Sequence, residues 1–219
     1  MSDNAILPGT TDVAGAIAHQ TLAEREARYT SEVRRLRDAA LDAMRARGTT
    51  GSPRVADIVA AAGLSNDAFY RHFASKDALV AALIEDGALR LRSYLEHQME
   101  KESTARGRVR CWVEGVMSQA ADDDLATTTL AVLWNGGRVS DGLGSDRPSH
   151  AAALATLLRD PFAELGSSQP DADAMLAAHA TVGVLSDFLW QRVRPTRAEI
   201  DRVVEFCLGG ITRGDGEES

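Results

Sequence analysis

The apolar residues of this chain recur at helical spacing in every segment where a period can be recognised. In the first such segment they are Val33, Leu36, Ala40, Leu41 and Met44. This spacing predicts a helix from about Ser31 to Arg47, capped by Thr30 or Ser31 and ended by Gly48. A chain of 219 residues, 44% of them hydrophobic, can bury a substantial core. We therefore expect an all-α protein of about nine helices.

Two short helices are predicted next. Ser52 precedes Pro53, a favoured N-cap followed by a favoured first helical residue, and this helix should run from Pro53 to about Ala61. It stops at Gly63, which can take the left-handed conformation that ends a helix. Ser65 then caps the following helix. Two short helices joined by a three-residue turn form a helix-turn-helix.

The second helix of this pair has an apolar side and polar sides. Phe69 and Phe73 lie four residues apart, so we expect both in the core. The polar residues on its other faces, which are candidates to project outward, are Asn66, Asp67, Tyr70 and Arg71. An exposed tyrosine beside an arginine suits contacts with phosphates and bases. A plain helical hairpin with solvated polar residues is the alternative.

The run VADIVAAAGLSNDAFYRHFASKDALVAALIEDG carries a resemblance to a known family. An aromatic pair leads to His-Phe at 69–73, and Ser-Lys-acid-x-Leu follows at 75–79. In these features the chain resembles the DNA-binding domain of the tetracycline-repressor (TetR) family of transcriptional regulators. The resemblance covers about Ser31 to Leu91. Beyond it, the chain resembles the family only in being helical and of suitable length.

The resemblance implies roles for individual residues. Ser65, Asn66 and Asp67 would begin a recognition helix that enters the major groove. Tyr70 and Lys76 match phosphate-contacting positions, and Lys76 would act together with the N–H groups at the start of the helix capped by Ser75.

The sequence departs from the family at two places. Asn66 and Asp67 stand where the family usually has a basic or small residue and then glycine. Asn66 could read adenine, and Asp67 could accept from cytosine or only stabilise the first turn. The loop before the second helix is one residue longer than usual, which brings Arg54 near a phosphate-contacting position. His72 matches a family position but is expected to pack against the domain's own helices.

The charge of the chain is unevenly distributed. The net charge is −8, yet residues 28–76 contain nine Lys or Arg against five Asp or Glu, a balance of 9 − 5 = +4. Residues 93–219 contain twelve bases against twenty acids, a balance of 12 − 20 = −8. A basic N-terminal part can bind phosphates although the whole chain is acidic.

The organisation expected from pattern and resemblance has four parts. They are a flexible arm at 1–29, a helix-turn-helix domain at 30–76, a helical ligand-binding and dimerisation domain at 77–213, and a disordered tail at 214–219. The last two helices are expected to form a four-helix bundle across a two-fold axis, with burial inside one chain as the alternative. The resemblance implies a dimeric regulator, taken as a repressor, that binds a palindromic operator and is released by a small hydrophobic ligand.

Large side chains of the middle helices are candidates to line the ligand pocket, with histidines for polar contacts. The candidates are Trp112, Met117, Leu133, Trp134, His150, His179 and Phe188. Ordinary core packing is the competing interpretation for each of them.

Other kinds of chemistry find little support in the sequence. The acidic run at 122–124 precedes a helix. We interpret it as a solvated loop and helix cap rather than as a metal site. No catalytic motif, metal-ligand spacing or phosphate-binding glycine loop is found, so we expect no catalytic residue, metal or cofactor. The two separated cysteines suit the reducing cytoplasm, and no long apolar run predicts a membrane span. An all-helical enzyme or a non-DNA interaction protein with an unrecognised site is the second hypothesis.

Overall fold

A computed structural model describes residues 13–140 and 150–211. Within these ranges every element is helical and no strand occurs, as the sequence predicts. The helices are α1 Val13–Arg47, α2 Val55–Ala62, α3 Asn66–His72, α4 Lys76–Met99, α5 Ala105–Met117, α6 Asp123–Ser140, α7 His150–Ala155, α8 Arg159–Glu164, α9 Pro170–Gln191 and α10 Arg197–Gly209. Short 3₁₀ turns follow α5 and join α7 to α8.

The first helix is longer than its sequence signals indicate. A start at Thr30 or Ser31 is wrong, because α1 runs without interruption from Val13 to Arg47. Residues 14–30 are almost all exposed, so no apolar stripe marks this part of the helix in the sequence. Its end at Gly48 is confirmed, since Gly48 takes a positive φ of 54° and its N–H donates to the Met44 carbonyl. The terminal segments 1–12 and 212–219 lie outside the described residues.

The start of α2 also differs from the prediction. The helix begins at Val55 with Arg54 in the extended N-cap conformation, so the assignment of Ser52 as cap and Pro53 as first helical residue is wrong. The Ser52 hydroxyl donates instead to Asn135, far along the chain. The other local signals are confirmed. Gly63 ends α2 in the left-handed conformation, and Ser65 caps α3 by accepting from the Ala68 N–H at 3.1 Å.

Two apolar cores lie along the molecule. The N-terminal core joins α1, α2 and α3 around Leu36, Met44, Ile58 and Phe69, all fully buried. The C-terminal core is larger, and it includes five residues of α5 at helical spacing. Those residues are Val109, Trp112, Val113, Val116 and Met117.

Two helices belong to both cores. The first half of α4 places Leu79 and Leu83 in the N-terminal core, and its last turns place Leu95 and Met99 in the C-terminal core. In α6, Ala131 packs in the first core and its neighbour Leu130 in the second. Lys76, one of the DNA-binding candidates, therefore lies on a helix that continues into the C-terminal core. None of the helices described is both long and apolar enough to cross a membrane.

Candidate nucleic-acid interface

The recognition-helix candidate α3 is anchored by one side and exposed on the other. Phe69 is fully buried, and its ring centroid lies 5.9 Å from that of Phe73, which packs against the same core. Asn66 and Asp67 in the first turn are exposed. Tyr70 is 58% exposed, with its ring set edge-on to that of Phe69. The apolar anchor therefore holds polar groups outward, which is the division predicted from the spacing.

A charged cluster fixes the end of α3 to α1. The fully buried His72 ring donates from Nε2 to the Glu32 carboxylate at 2.7 Å, and Arg71 donates to the same carboxylate at 3.1 Å. This hydrogen bond with His72, together with the positive charge of Arg71, holds the pKa of Glu32 below its ordinary value despite partial burial. Tyr29 packs edge-on against His72, with ring centroids 4.3 Å apart. His72 is thus packed against the domain's own helices, as the sequence predicts.

Lys76, the phosphate-contact candidate, is half-buried and belongs to a chain of hydrogen bonds. Its Nζ donates to Ser52 Oγ at 2.7 Å, and Ser52 Oγ donates to Asn135 Oδ1 at 2.7 Å. The buried Asn135 in turn donates from Nδ2 to the Ala131 carbonyl at 2.8 Å. The ammonium carries three donors, so one bond to Ser52 leaves capacity for a phosphate. Lys76 is therefore connected to α6 of the C-terminal domain.

Arg54 is exposed at the N-terminus of α2. Its backbone N–H lies 3.4 Å from the Asp57 carboxylate, which pairs with Arg47 at 2.7 Å. The structure thus places the seven predicted DNA contacts at the N-terminus of α2, at the start and along the length of α3, and at the start of α4. Arg54, Ser65, Asn66, Asp67 and Tyr70 are exposed, Arg71 is exposed but paired with Glu32, and Lys76 is held by Ser52.

The effector candidates whose side chains the structure describes lie in different surroundings. Trp112 and Met117 are fully buried in the C-terminal core, and Trp112 Nε1 donates to the Leu154 carbonyl at 3.1 Å. Leu133 and His179 are exposed, and Trp134 is half-buried on α6. The side chain of His150 lies outside the described residues. Phe188 alone of the candidates described lines the cleft found between the domains.

This cleft has a volume of about 610 Å³ and lies where three segments meet. The end of α1 and the following turn form one wall, the first half of α6 another, and the end of α9 the third. Four arginines and one aspartate line it, a balance of 4 − 1 = +3. Its size is within the range of small-molecule sites in proteins. We call it the interdomain cleft.

Sequence reasoning missed several residues that shape these sites. Glu32 and Asn135 hold DNA-binding candidates in place, and Arg192 contributes to the interdomain cleft. Each acts on a residue distant in the chain, and the sequence contains no local signal for such pairing. Ser52 carries a signal, but its position before Pro53 indicates a cap.

The structure holds a polar recognition-helix candidate on a small core, beside a larger helical domain. This is the arrangement of helix-turn-helix regulators. Residues 36–83 match the model of bacterial regulatory proteins of the tetR family. The match covers the helix-turn-helix part of the chain, which therefore carries a DNA-binding domain of the tetR type.

Solved structures share the fold over most of the chain. The fatty acid degradation regulator FadR from Bacillus halodurans is 18% identical, with a TM-score of 0.59 over 84% of this chain and 97% of that one. A TetR-family regulator from Mesorhizobium loti is 16% identical, with a TM-score of 0.61 over 84% and 96%. FadR from Bacillus subtilis, solved with stearoyl-CoA, is 17% identical, with a TM-score of 0.56 over 81% and 98%. A comparison with curated proteins gives no match.

Proposed function

We propose that the protein represses transcription by binding a palindromic operator as a homodimer and leaves it when a small, largely apolar effector binds. The exposed face of α3 carries this proposal. Asn66, Asp67 and Tyr70 project from a helix whose opposite side is anchored by Phe69, and Lys76 opens the next helix. Binding in the major groove requires groups that read bases in the first turn of the recognition helix. It also requires groups beside them that contact phosphates.

Exposed apolar residues on α9 and α10 support a dimer. Leu176 is 68% exposed and Phe206 is 65% exposed, values that suit a surface covered by a partner. Leu176, Gly183 and Trp190 recur every seven residues, so they share one face of α9, and all are exposed. The glycine leaves open space where a partner helix could approach closely. Such a self-complementary face fits a two-fold interface. In this arrangement the exposed His179 would lie at the interface, not in a pocket.

The dependence on an effector is supported by the interdomain cleft and by the relatives. FadR from Bacillus subtilis was solved with an acyl-CoA, a ligand that combines an apolar chain with anionic groups. In this chain the cleft combines an apolar floor, which includes Phe188 and Leu130, with arginines. In this function the protein acts in the cytoplasm by binding and catalyses no reaction.

Selection of genomic fragments by the purified full-length protein tests this function. We expect recovery of fragments with two related half-sites about one helical turn apart, and a sedimentation coefficient of a dimer at micromolar concentration. A protein that sediments as a monomer and retains no fragment above a random background would contradict the proposal. The all-helical enzyme of the second hypothesis predicts that negative result.

A further inference from the structure

We propose that the interdomain cleft is the effector site and that it takes a small carboxylate with an apolar body, its anionic end bound by Arg192. This inference rests on the proposed function and assigns the effector's location and chemical class. Of the effector candidates taken from the sequence, Phe188 lines this cleft, whereas Trp112 and Met117 are fully buried in the C-terminal core. The cleft, by contrast, offers open volume between the two domains.

The charge of the cleft favours an anion. Three of its four arginines have acidic partners: Arg47 with Asp57 at 2.7 Å, Arg194 with Asp123 at 2.6 Å, and Arg45 with Asp124 at 3.6 Å. Within the ranges that the structure covers, Arg192 has no such partner. A guanidinium without an acidic partner in a cavity of net positive charge can bind a carboxylate through two parallel hydrogen bonds.

The position of Arg192 supports the same assignment. Arg192 ends α9 in the left-handed conformation with φ of 54°, which is common at helix C-termini. Its N–H donates to the Leu189 carbonyl and that of Val193 to the Phe188 carbonyl. The side chain extends toward the turn after α1, since a methyl group placed on Gly48 would lie 4.0 Å from Arg192 Nη2. The Arg192 side chain therefore reaches from the end of α9 to the turn after α1.

The apolar part of the cleft sets the nature of the rest of the ligand. Phe188, Leu189, Leu130 and Ala126 contribute apolar groups beside the arginines. A ligand with a carboxylate at one end and a short alkyl or aromatic body matches both parts. A fully apolar compound would leave Arg192 desolvated without a partner, which is unfavourable.

The cleft is directly connected to the DNA-binding candidates. Ala131 lines it, and the Ala131 carbonyl accepts the hydrogen bond from Asn135 that continues through Ser52 to Lys76. The wall formed by residues 45–50 includes the end of α1. The same helix holds α3 in place through Glu32. A ligand bound between these walls favours one relative arrangement of the domains. It lowers operator affinity if that arrangement differs from the DNA-bound one.

Calorimetric titration of the full-length protein with octanoate, and with 1-octanol as the uncharged probe, tests the site. We expect octanoate to bind at least about tenfold more tightly than 1-octanol. Arg192→Gln should abolish this preference, and Arg192→Lys should retain part of it. Lys101→Gln is the control, because Lys101 is exposed and lies beyond the end of α4 opposite to Lys76.

Three results would overturn the site assignment: no octanoate binding, no preference over 1-octanol, or equal octanoate affinity in Arg192→Gln and wild type. If Arg192 only stabilised the C-terminal end of α1, its replacement would change the unfolding midpoint and leave octanoate affinity unchanged.

Operator titrations without and with saturating octanoate form the second part of the test. We expect octanoate to lower operator affinity at least about fivefold in the wild type and to have no such effect in Arg192→Gln. Octanoate binding without any change in operator affinity overturns the effector role. If the protein binds no operator in the absence of ligand, the proposed function is wrong. The calorimetry decides separately whether the cleft binds a carboxylate.

Discussion

Ser52 and Asn135, 83 residues apart in the sequence, are joined by a hydrogen bond of 2.7 Å from Ser52 Oγ to Asn135 Oδ1. Ser52 also accepts from Lys76 Nζ, so one hydroxyl connects the phosphate-contact candidate with a buried side chain of α6. A hydroxyl can donate one hydrogen bond while it accepts another, so both contacts form together. The loop before α2 therefore belongs to the boundary between the two domains.

Asn135→Ala should lower the free energy of unfolding by about 1–3 kcal/mol, because the buried partners of Asn135 lose their hydrogen bonds. Urea denaturation measures this effect. The matched control is Asn66→Ala, which truncates an exposed asparagine and should change stability by no more than about 0.5 kcal/mol. If the two variants are equally stable, the Ser52–Asn135 connection has no energetic role.

Lys76→Ala should weaken binding to all duplexes to a similar degree and reduce the slope of log affinity against log salt by about one. The loss of one phosphate contact has this effect because one fewer counterion is released. Anisotropy titrations at several salt concentrations, on operator and random duplexes, measure it. A changed base preference with an unchanged salt slope would contradict the phosphate role.

Asn66→Ala should instead relax discrimination at one or two base pairs, at a cost of about 1–3 kcal/mol on the preferred site. Asn66 is exposed in the first turn of α3, where side chains reach base edges. Titrations against operators with single base-pair changes measure the discrimination. Uniform weakening across all of them would show that Asn66 contributes no base reading.

The helix-turn-helix was predictable because its signals are local. Ser65 and Ser75 cap the helices that follow them, and Gly63 takes the left-handed conformation at the end of α2. Each of these depends on groups within a few residues along the chain, which a sequence displays directly. The alternation of Phe69 with exposed Tyr70 follows from the helical period in the same way.

The parts that could not be predicted depend on contacts between distant segments. Ser52 has the sequence context of a cap, yet its hydroxyl is used by Asn135 and Lys76. The interdomain cleft combines the ends of α1 and α9 with α6, and neither its volume nor the pairing of its arginines follows from a sequence pattern. The extension of α1 to Val13 has only a weak signal in the sequence, because an exposed helix has no apolar stripe.

Glu32→Gln should make stability less dependent on pH in acid. The pKa of Glu32 is lowered in the folded protein, chiefly by the hydrogen bond with His72, so folding favours the charged carboxylate. The resulting stabilisation is complete above the ordinary glutamate pKa, about 4.3, and is lost as the pH falls through the folded-state pKa. The difference in unfolding free energy between wild type and Glu32→Gln should therefore shrink below that pH.

Urea unfolding at several pH values from neutral to strongly acidic measures this difference. Glu85→Gln is the control, since Glu85 is exposed on α4, and its difference from wild type should stay small throughout. If the wild type and Glu32→Gln lose stability in parallel at low pH, the Glu32–His72 pair does not contribute to the acid response.

Leu176→Glu should convert the dimer into a monomer. Leu176 is 68% exposed on the face of α9 that also carries Gly183 and Trp190, and a carboxylate there would be buried without a partner in the proposed interface. Leu89→Glu is the matched control, because Leu89 is 61% exposed on a different helix, α4. Sedimentation velocity should show a monomer for Leu176→Glu and a dimer for Leu89→Glu. Operator affinity should fall strongly in the first variant alone, because a monomer contacts one half-site. A Leu176→Glu protein that still sediments as a dimer would place the two-fold interface on another surface.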